Sequence, residues 1–178
     1  NIEENEDRQP IPYRLPPGIE RERLQGTTTI QQQNEQSVLI KVDDLEPGDT
    51  RAIFKNTTFD LRMYKQLKMF IHGESKIGQL EVKDDELLWI IRLGSDTDDN
   101  YYQIESPLKI TAFNATTAEE IWPEENNIDA DIEDFGGLKL ERLEVGAPIG
   151  ELYPQPQIGE APEYRIRVKG NPNLSNIR

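Results

Sequence analysis

The sequence contains no cysteine, which excludes disulfides and thiolate chemistry and leaves the redox compartment open. It has a single histidine, His72, with no cysteine or second histidine to share a metal. Any Ser–His–Asp arrangement would have to use His72, yet no Gly-x-Ser-x-Gly turn accompanies it. A packed or surface strand residue is the plainer reading. Bases are scarce: 20 Lys and Arg face 34 Asp and Glu, a net charge of −14. Phosphate binding needs clustered Lys and Arg, so this balance argues against a nucleic-acid partner. It argues equally against an anionic membrane surface. Apolar residues make up only 35% of the 178, against an average of roughly 45–50% that also counts glycine. Long stretches are therefore expected to be exposed, extended or covered by a partner. No apolar run approaches the ~20 residues of a membrane helix, and no basic n-region followed by an apolar h-region is seen. The apolar runs are mostly shorter than the roughly 9–11 residues of a membrane-spanning strand, and their outer faces are charged. The chain is expected to be water-soluble, with no direct membrane insertion.

What is present is organised around Lys65 to Thr111. In KQLKMFIHGE, Leu67, Met69 and Ile71 alternate with Lys68, Phe70 and His72, the period of a half-buried strand. Leu87 to Leu93 is apolar on both faces, which predicts a central strand covered from both sides. From Tyr101 to Thr111 alternation returns, with Ile104, Leu108 and Ile110 on one face. Asp96 to Asn100 (DTDDN) cannot continue a strand and predicts a turn.

The flanks extend this pattern. Residues 1–36 are polar or proline-rich, with Pro10, Pro12, Pro16 and Pro17 favouring an extended arm. Residues 37–178 are expected to form one β-sandwich domain. SVLIKV (37–42), RAIFK (51–55) and TFDLRM (58–63) predict strands, with Pro47-Gly48 at the centre of an intervening turn. Pro123 should end any helix begun at Thr117. Ile128, Ala130 and Ile132 have period two; Phe135, Leu138, Leu140 and Leu143 fit a helical turn or another strand. Gly136-Gly137 argues against a long helix there. Residues 146–163 read as a loop, YRIRVK (164–169) as a strand, and Ile177 as the opening of a further strand. Seven or eight short strands with uneven links predict an all-β fold, an antiparallel two-sheet sandwich of jelly-roll type.

No catalytic set stands out. Asp96, Asp98 and Asn100 resemble the opening of a calcium loop, since hard oxygen ligands at alternate positions suit Ca²⁺. Tyr101 stands where the EF-hand pattern requires glycine, and a polar hairpin turn explains the same residues. The acidic run Glu119 to Asp134 could meet cations or a basic partner, or be a solvated face. Trp89, Trp122, Tyr101 and Tyr102 could stack on a sugar. Of these, Trp89 is expected in the core, and Trp122 is the better candidate for exposure.

Several stretches in order, PPGIERE, TTTIQQQNEQS, DNYYQIESPLKI, WPEEN and KGNPNLSNIR, carry a family resemblance. From about Pro12 to Arg178 the chain resembles the SprA/Sov family of Bacteroidetes gliding-motility proteins. The resemblance implies a part of a very large single-chain β-barrel, the outer-membrane translocon of the type 9 secretion system. Such a barrel carries folded substrates across the outer membrane and is gated and plugged by partner proteins. The family has no catalytic residues to carry over. The chain would be a soluble insert in the cell envelope, facing the exterior or the periplasm. It would pack on the rest of the translocon or its accessory subunits.

Two functions are therefore expected. The first is a non-enzymatic structural and interaction domain without cofactor, used in secretion and gliding motility. The second is a carbohydrate- or calcium-binding jelly-roll module of a cell-surface protein.

Overall fold

The computed structural model describes residues 2–4, 8–20, 36–58, 60–79, 81–156 and 163–177. Among the described residues three antiparallel sheets are formed. The smallest pairs β1 (Ile2–Glu4) with β2 (Gln36–Val38). A second pairs β3 (Gln66–Met69) with β6 (Ile128–Asp131). The largest has the order β4 (Leu88–Gly94), β5 (Tyr101–Pro107), β7 (Arg165–Lys169). Two α-helices, α1 (Ala118–Ile121) and α2 (Ile132–Glu144), and two 3₁₀ turns, at Leu61–Met63 and Glu124–Asn126, are also described.

One core joins the two larger sheets and α2. Tyr102 and Ile104 of β5 and Val168 of β7 meet Ile128 and Ala130 of β6 and Ile132 and Phe135 of α2. Tyr102 and Phe135 pack edge-to-face with ring centres 5.1 Å apart, a favoured aromatic geometry. Burial pushes the Tyr102 hydroxyl up to about 12. Leu61 and Ile177 close the ends of this core, and Leu67, Trp89, Ile91, Leu93 and Ile166 line its margin. The arrangement is consistent with a β-sandwich to which a helix has been added.

The predicted central strand is corrected. β4 is an edge, and its Leu88 and Ile90 are 49% and 40% exposed. The centre is β5, buried on both faces from Tyr101 to Ser106. Its polar residues are tolerated there because they bond to one another. The strand expected at 51–55 is absent, and that at 37–42 ends at Val38. Val38, Ile53 and Phe54 are 65%, 62% and 80% exposed. Their alternation lacks a layer to cover it, and alternation alone cannot hold a strand in place. From the stretch at 58–63, Leu61–Met63 forms a 3₁₀ turn capped by Asp60 instead of a strand.

Helix α2 passes through Gly136-Gly137, against expectation. Glycine costs a helix interior about 1 kcal/mol relative to alanine. Ile132, Phe135, Leu138 and Arg142 recur on one side and pack inward, which outweighs that cost. Lys139 Nζ donates to the carbonyl of Pro172 at 3.0 Å and Arg142 Nη2 to that of Gly170 at 2.8 Å. The helix is thus pinned to the segment after β7.

Candidate interaction surface

The turn predicted at 96–100 is present and joins β4 to β5. Asp96 Oδ1 accepts the amides of Asp98, Asp99 and Asn100 at 3.1, 2.7 and 2.8 Å. Its Oδ2 accepts from Asn100 Nδ2 at 2.8 Å. These bonds, led by that of Asn100, hold the Asp96 carboxyl well below its ordinary range. Asn100 Oδ1 in turn accepts the amide of Asn171 at 2.9 Å. The side chains of Asp96 and Asn100 are thus turned inward upon the chain itself. Asp98 is exposed, and Lys169 Nζ donates to its carbonyl at 2.7 Å. Among the described residues no group of three His, Asp or Glu side chains is placed to hold a metal ion.

The His72 side chain, 6% exposed, sits at a junction. Its Nδ1 donates to the carbonyl of Ile121 at 2.8 Å, and its Nε2 lies 3.2 Å from Glu74 Oε2. Arg8 Nη2 reaches the same oxygen at 2.9 Å. Burial opposes ionisation of Glu74, but the His72 hydrogen bond and the Arg8 charge prevail and hold its carboxyl below the ordinary value. The Thr111 hydroxyl joins the same cluster, 3.3 Å from His72 Nδ1 and from the carbonyl of Ile121, so the arrangement ties four chain segments together.

Trp122 is not the exposed platform the sequence suggested. It is 8% exposed and forms a second core with Ile11, Ala115 and Ile121. Rings of Tyr13, Phe70 and His72 meet it edge-on at 6.5, 6.2 and 5.7 Å. Its indole N–H donates to the carbonyl of Arg14 at 2.8 Å. The described arm residues 8–20 include Ile11, fully buried in this core, and are thus docked on the domain. The polar run TTTIQQQ (27–33) lies outside the described residues. Trp89, expected in the core, packs partly buried at the margin of the main core, and its buried indole N–H has no acceptor among the described residues. Tyr101 and Tyr102 are both buried.

The outer face of the large sheet carries a polar ladder. Arg92 Nε donates to Gln103 Oε1 at 2.9 Å, and Gln103 Nε2 donates to Glu105 Oε2. Arg167 Nη1 reaches Glu105 Oε1 at 3.2 Å, and its Nε donates to the carbonyl of Pro154 at 2.8 Å. Arg92 also lies over the Tyr101 ring, 4.3 Å from its centre. Sequence reasoning missed this ladder. The signal was the shared alternation of Gln103 and Glu105 with Arg165 and Arg167.

The two edges of the sheet differ. At β7, Tyr153 and Val168 exchange both backbone hydrogen bonds, at 2.9 and 2.6 Å, and Gly170 N–H donates to the carbonyl of Ile149 at 2.8 Å. Residues 149–153 therefore cover that edge. At β4, Leu87 O accepts from Leu108 at 2.8 Å and Ser95 N–H donates to Asn100 O at 3.0 Å. Alternation between these bonds turns the backbone of Trp89, Ile91 and Leu93 toward β5. The backbone groups of Leu88, Ile90, Arg92 and Gly94 point outward, and none has a partner among the described residues.

The acidic run is divided among several tasks. Glu120 caps α1 in a reciprocal box with Thr117, and Pro123 follows the helix end as expected. Asp129 pairs with Lys68 across the β3–β6 ladder at 3.1 Å. Glu133, Asp134 and Glu141 line a shallow, open depression on α2. A second depression is lined by Ser75, Val82, Asp84 and Phe113 among others. Among the described residues no helix is long and apolar enough to cross a membrane.

Compared with known families, the whole chain, residues 1–178, matches the model SprA_N, described as motility related/secretion protein. No curated protein matches it.

Proposed function

The chain belongs to the SprA_N family of motility related/secretion proteins, and from that premise we propose that it is a non-enzymatic interaction domain of the type 9 secretion translocon. In this reading it stands in the cell envelope as an outer-membrane-associated part of a large barrel protein. It supplies shape and contacts to the rest of that protein and to its accessory subunits. Its two larger sheets are read as a jelly-roll variant of the β-sandwich, with β3 and β6 in one layer and β4, β5 and β7 in the other.

The observation that carries the proposal is the open edge of β4 beside a covered edge at β7. An isolated domain has reason to cover both, because an open edge invites pairing. Large exposed side chains at Val38, Ile53, Phe54, Met63 and Leu143 add surface of the kind that partners cover. The non-enzymatic reading is supported by the use of His72, Asp96 and Glu105 in structural bonds.

Replacing this segment in the parent protein by an inert linker, with the barrel still assembled, tests the proposal. Loss of cargo export and gliding is the expected result. Normal export and gliding would set it aside.

A further inference from the structure

The open edge of β4 has chemistry of its own. Along LWIIRLG no proline or extra residue interrupts the ladder, and the one charge, Arg92, is folded onto Gln103 and Tyr101. Natural edge strands are commonly blunted by such devices. Here Leu88 and Ile90 are half exposed on one face, while Trp89, Ile91 and Leu93 reach the core margin on the other. A strand added at this edge would find apolar neighbours on both of its faces.

The ends of the edge are acidic. Asp84, Asp85 and Glu86 precede it, and Asp96, Asp98 and Asp99 follow it, all exposed. Lys109 and Lys169 pair with Asp85 and Asp99, at 2.8 and 3.3 Å. Asp84, Glu86, Asp96 and Asp98 have no such cationic partner among the described residues. A second copy of this chain is a poor occupant. Antiparallel pairing of β4 with its own copy would set 84–86 of one against 96–99 of the other, carboxylates facing carboxylates. The same fields attract an opposite pattern.

We infer that β4 is a docking edge for an extended partner segment whose apolar centre is flanked at both ends by Lys or Arg. The segment adds as a fourth strand and bonds to the backbone of Leu88, Ile90, Arg92 and Gly94. Glu86 and Asp96, the innermost of these acids, stand ten positions apart (96 − 86), and paired strands share the same rise of about 3.3 Å per residue, so the partner's cations should lie roughly ten positions apart. This inference rests on reading the chain as an interaction domain and names the chemistry of its partner.

A synthetic peptide of alternating Val and Thr, with two lysines at each end, is the probe. The isotope-labelled 178-residue chain is titrated with it and with a Glu-flanked analogue, by NMR and by calorimetry. Exchange of the Leu88, Ile90 and Arg92 amides should slow at least tenfold at saturation, with those of Ile166 and Val168 unchanged. The Glu-flanked peptide should bind at least tenfold more weakly, and the Lys-flanked one should weaken as salt rises. Ile90→Pro and Ile90→Lys should each weaken binding at least tenfold, and the thermal melt of Ile90→Lys shows that the fold persists. Equal binding of the two peptides, unprotected edge amides, or a β4-mediated homodimer in sedimentation would overturn the inference. If Ile90→Lys leaves export intact in the parent while the linker replacement abolishes it, the edge is excluded and the interaction role stands. If neither change affects export, both fall.

Discussion

Asn171 donates its backbone N–H to Asn100 Oδ1 at 2.9 Å, tying the residue that follows Gly170 to a hairpin turn 71 positions earlier. Gly170 makes this approach feasible. It has φ +65, and a β-carbon there would run into the carbonyl of Asp99 and lie 2.5 Å from Asn100 Oδ1. Gly170→Ala is expected to destabilise by about 2–4 kcal/mol through strain and displacement of the turn. Gly150, with open space around it, is the control: Gly150→Ala should change stability by less than about 0.5 kcal/mol. Urea denaturation of both variants measures the difference. Equal effects would show that the close approach is unimportant.

The ladder on the outer face makes a second prediction. Glu105 and Arg167 are 9% and 8% exposed, so removing one leaves a charge without its partner in poor solvent. Glu105→Leu should cost about 3–5 kcal/mol. The paired change Glu105→Leu with Arg167→Met should recover most of that loss, because an apolar pair of similar size needs no desolvated charge. Chemical denaturation of the singles and the pair closes the cycle. Additive losses would show that the two residues act independently.

The arm makes a third. Ile11 is fully buried against Trp122, so Ile11→Ala should cost about 2–4 kcal/mol and Trp122→Ala about 3–5 kcal/mol. Both should raise exchange of the Tyr13, Arg14 and Leu15 amides, and the double variant should lose less than the sum. Exchange confined to other regions would mean that the arm is held by different contacts.

These cases show what the sequence disclosed. The stop at Pro123 and the Asp96–Asn100 turn were legible because each acts within a few residues, whereas the equally local capping box of Thr117 and Glu120 went unread. In the large sheet β5 and β7 were legible from period two, and β4 from its continuous apolar run. Which of them is central was not, because LLWIIRL is more apolar than YYQIES. β5 is buried through polar bonds supplied by Arg92 and Arg167, which lie on other strands. The place of Trp122 was hidden for a similar reason, since Tyr13 and Arg14, more than a hundred positions away, complete its surroundings.

Helix α2 makes the fourth prediction. Gly137 is exposed with nothing within 4 Å of a would-be β-carbon, and its backbone is helical. Gly137→Ala should therefore stabilise by about 0.5–1 kcal/mol, by restricting the unfolded chain and favouring the helix. A rise in melting temperature checks it. A fall would mean that the helix is strained at this point or that the space is occupied in solution.

Glu74 makes the last, with a definite sign. Its folded-state carboxyl sits below its ordinary 4.5, because the His72 bond and the Arg8 charge outweigh burial. A carboxyl that binds its proton less readily when folded contributes stability above its unfolded value, and that contribution is lost as pH falls through the folded one. At pH 7 Glu74→Gln should therefore cost about 1–2 kcal/mol, the scale of hydrogen bonds to a charged group. Below about 4.5 the gap between the two proteins should narrow, since the unfolded chain of the parent gains a proton that the folded one resists. Denaturation from pH 7 to pH 3 follows this difference. A gap that stays constant would assign the loss to packing, and one that widens in acid would reverse the role given to Arg8 and His72.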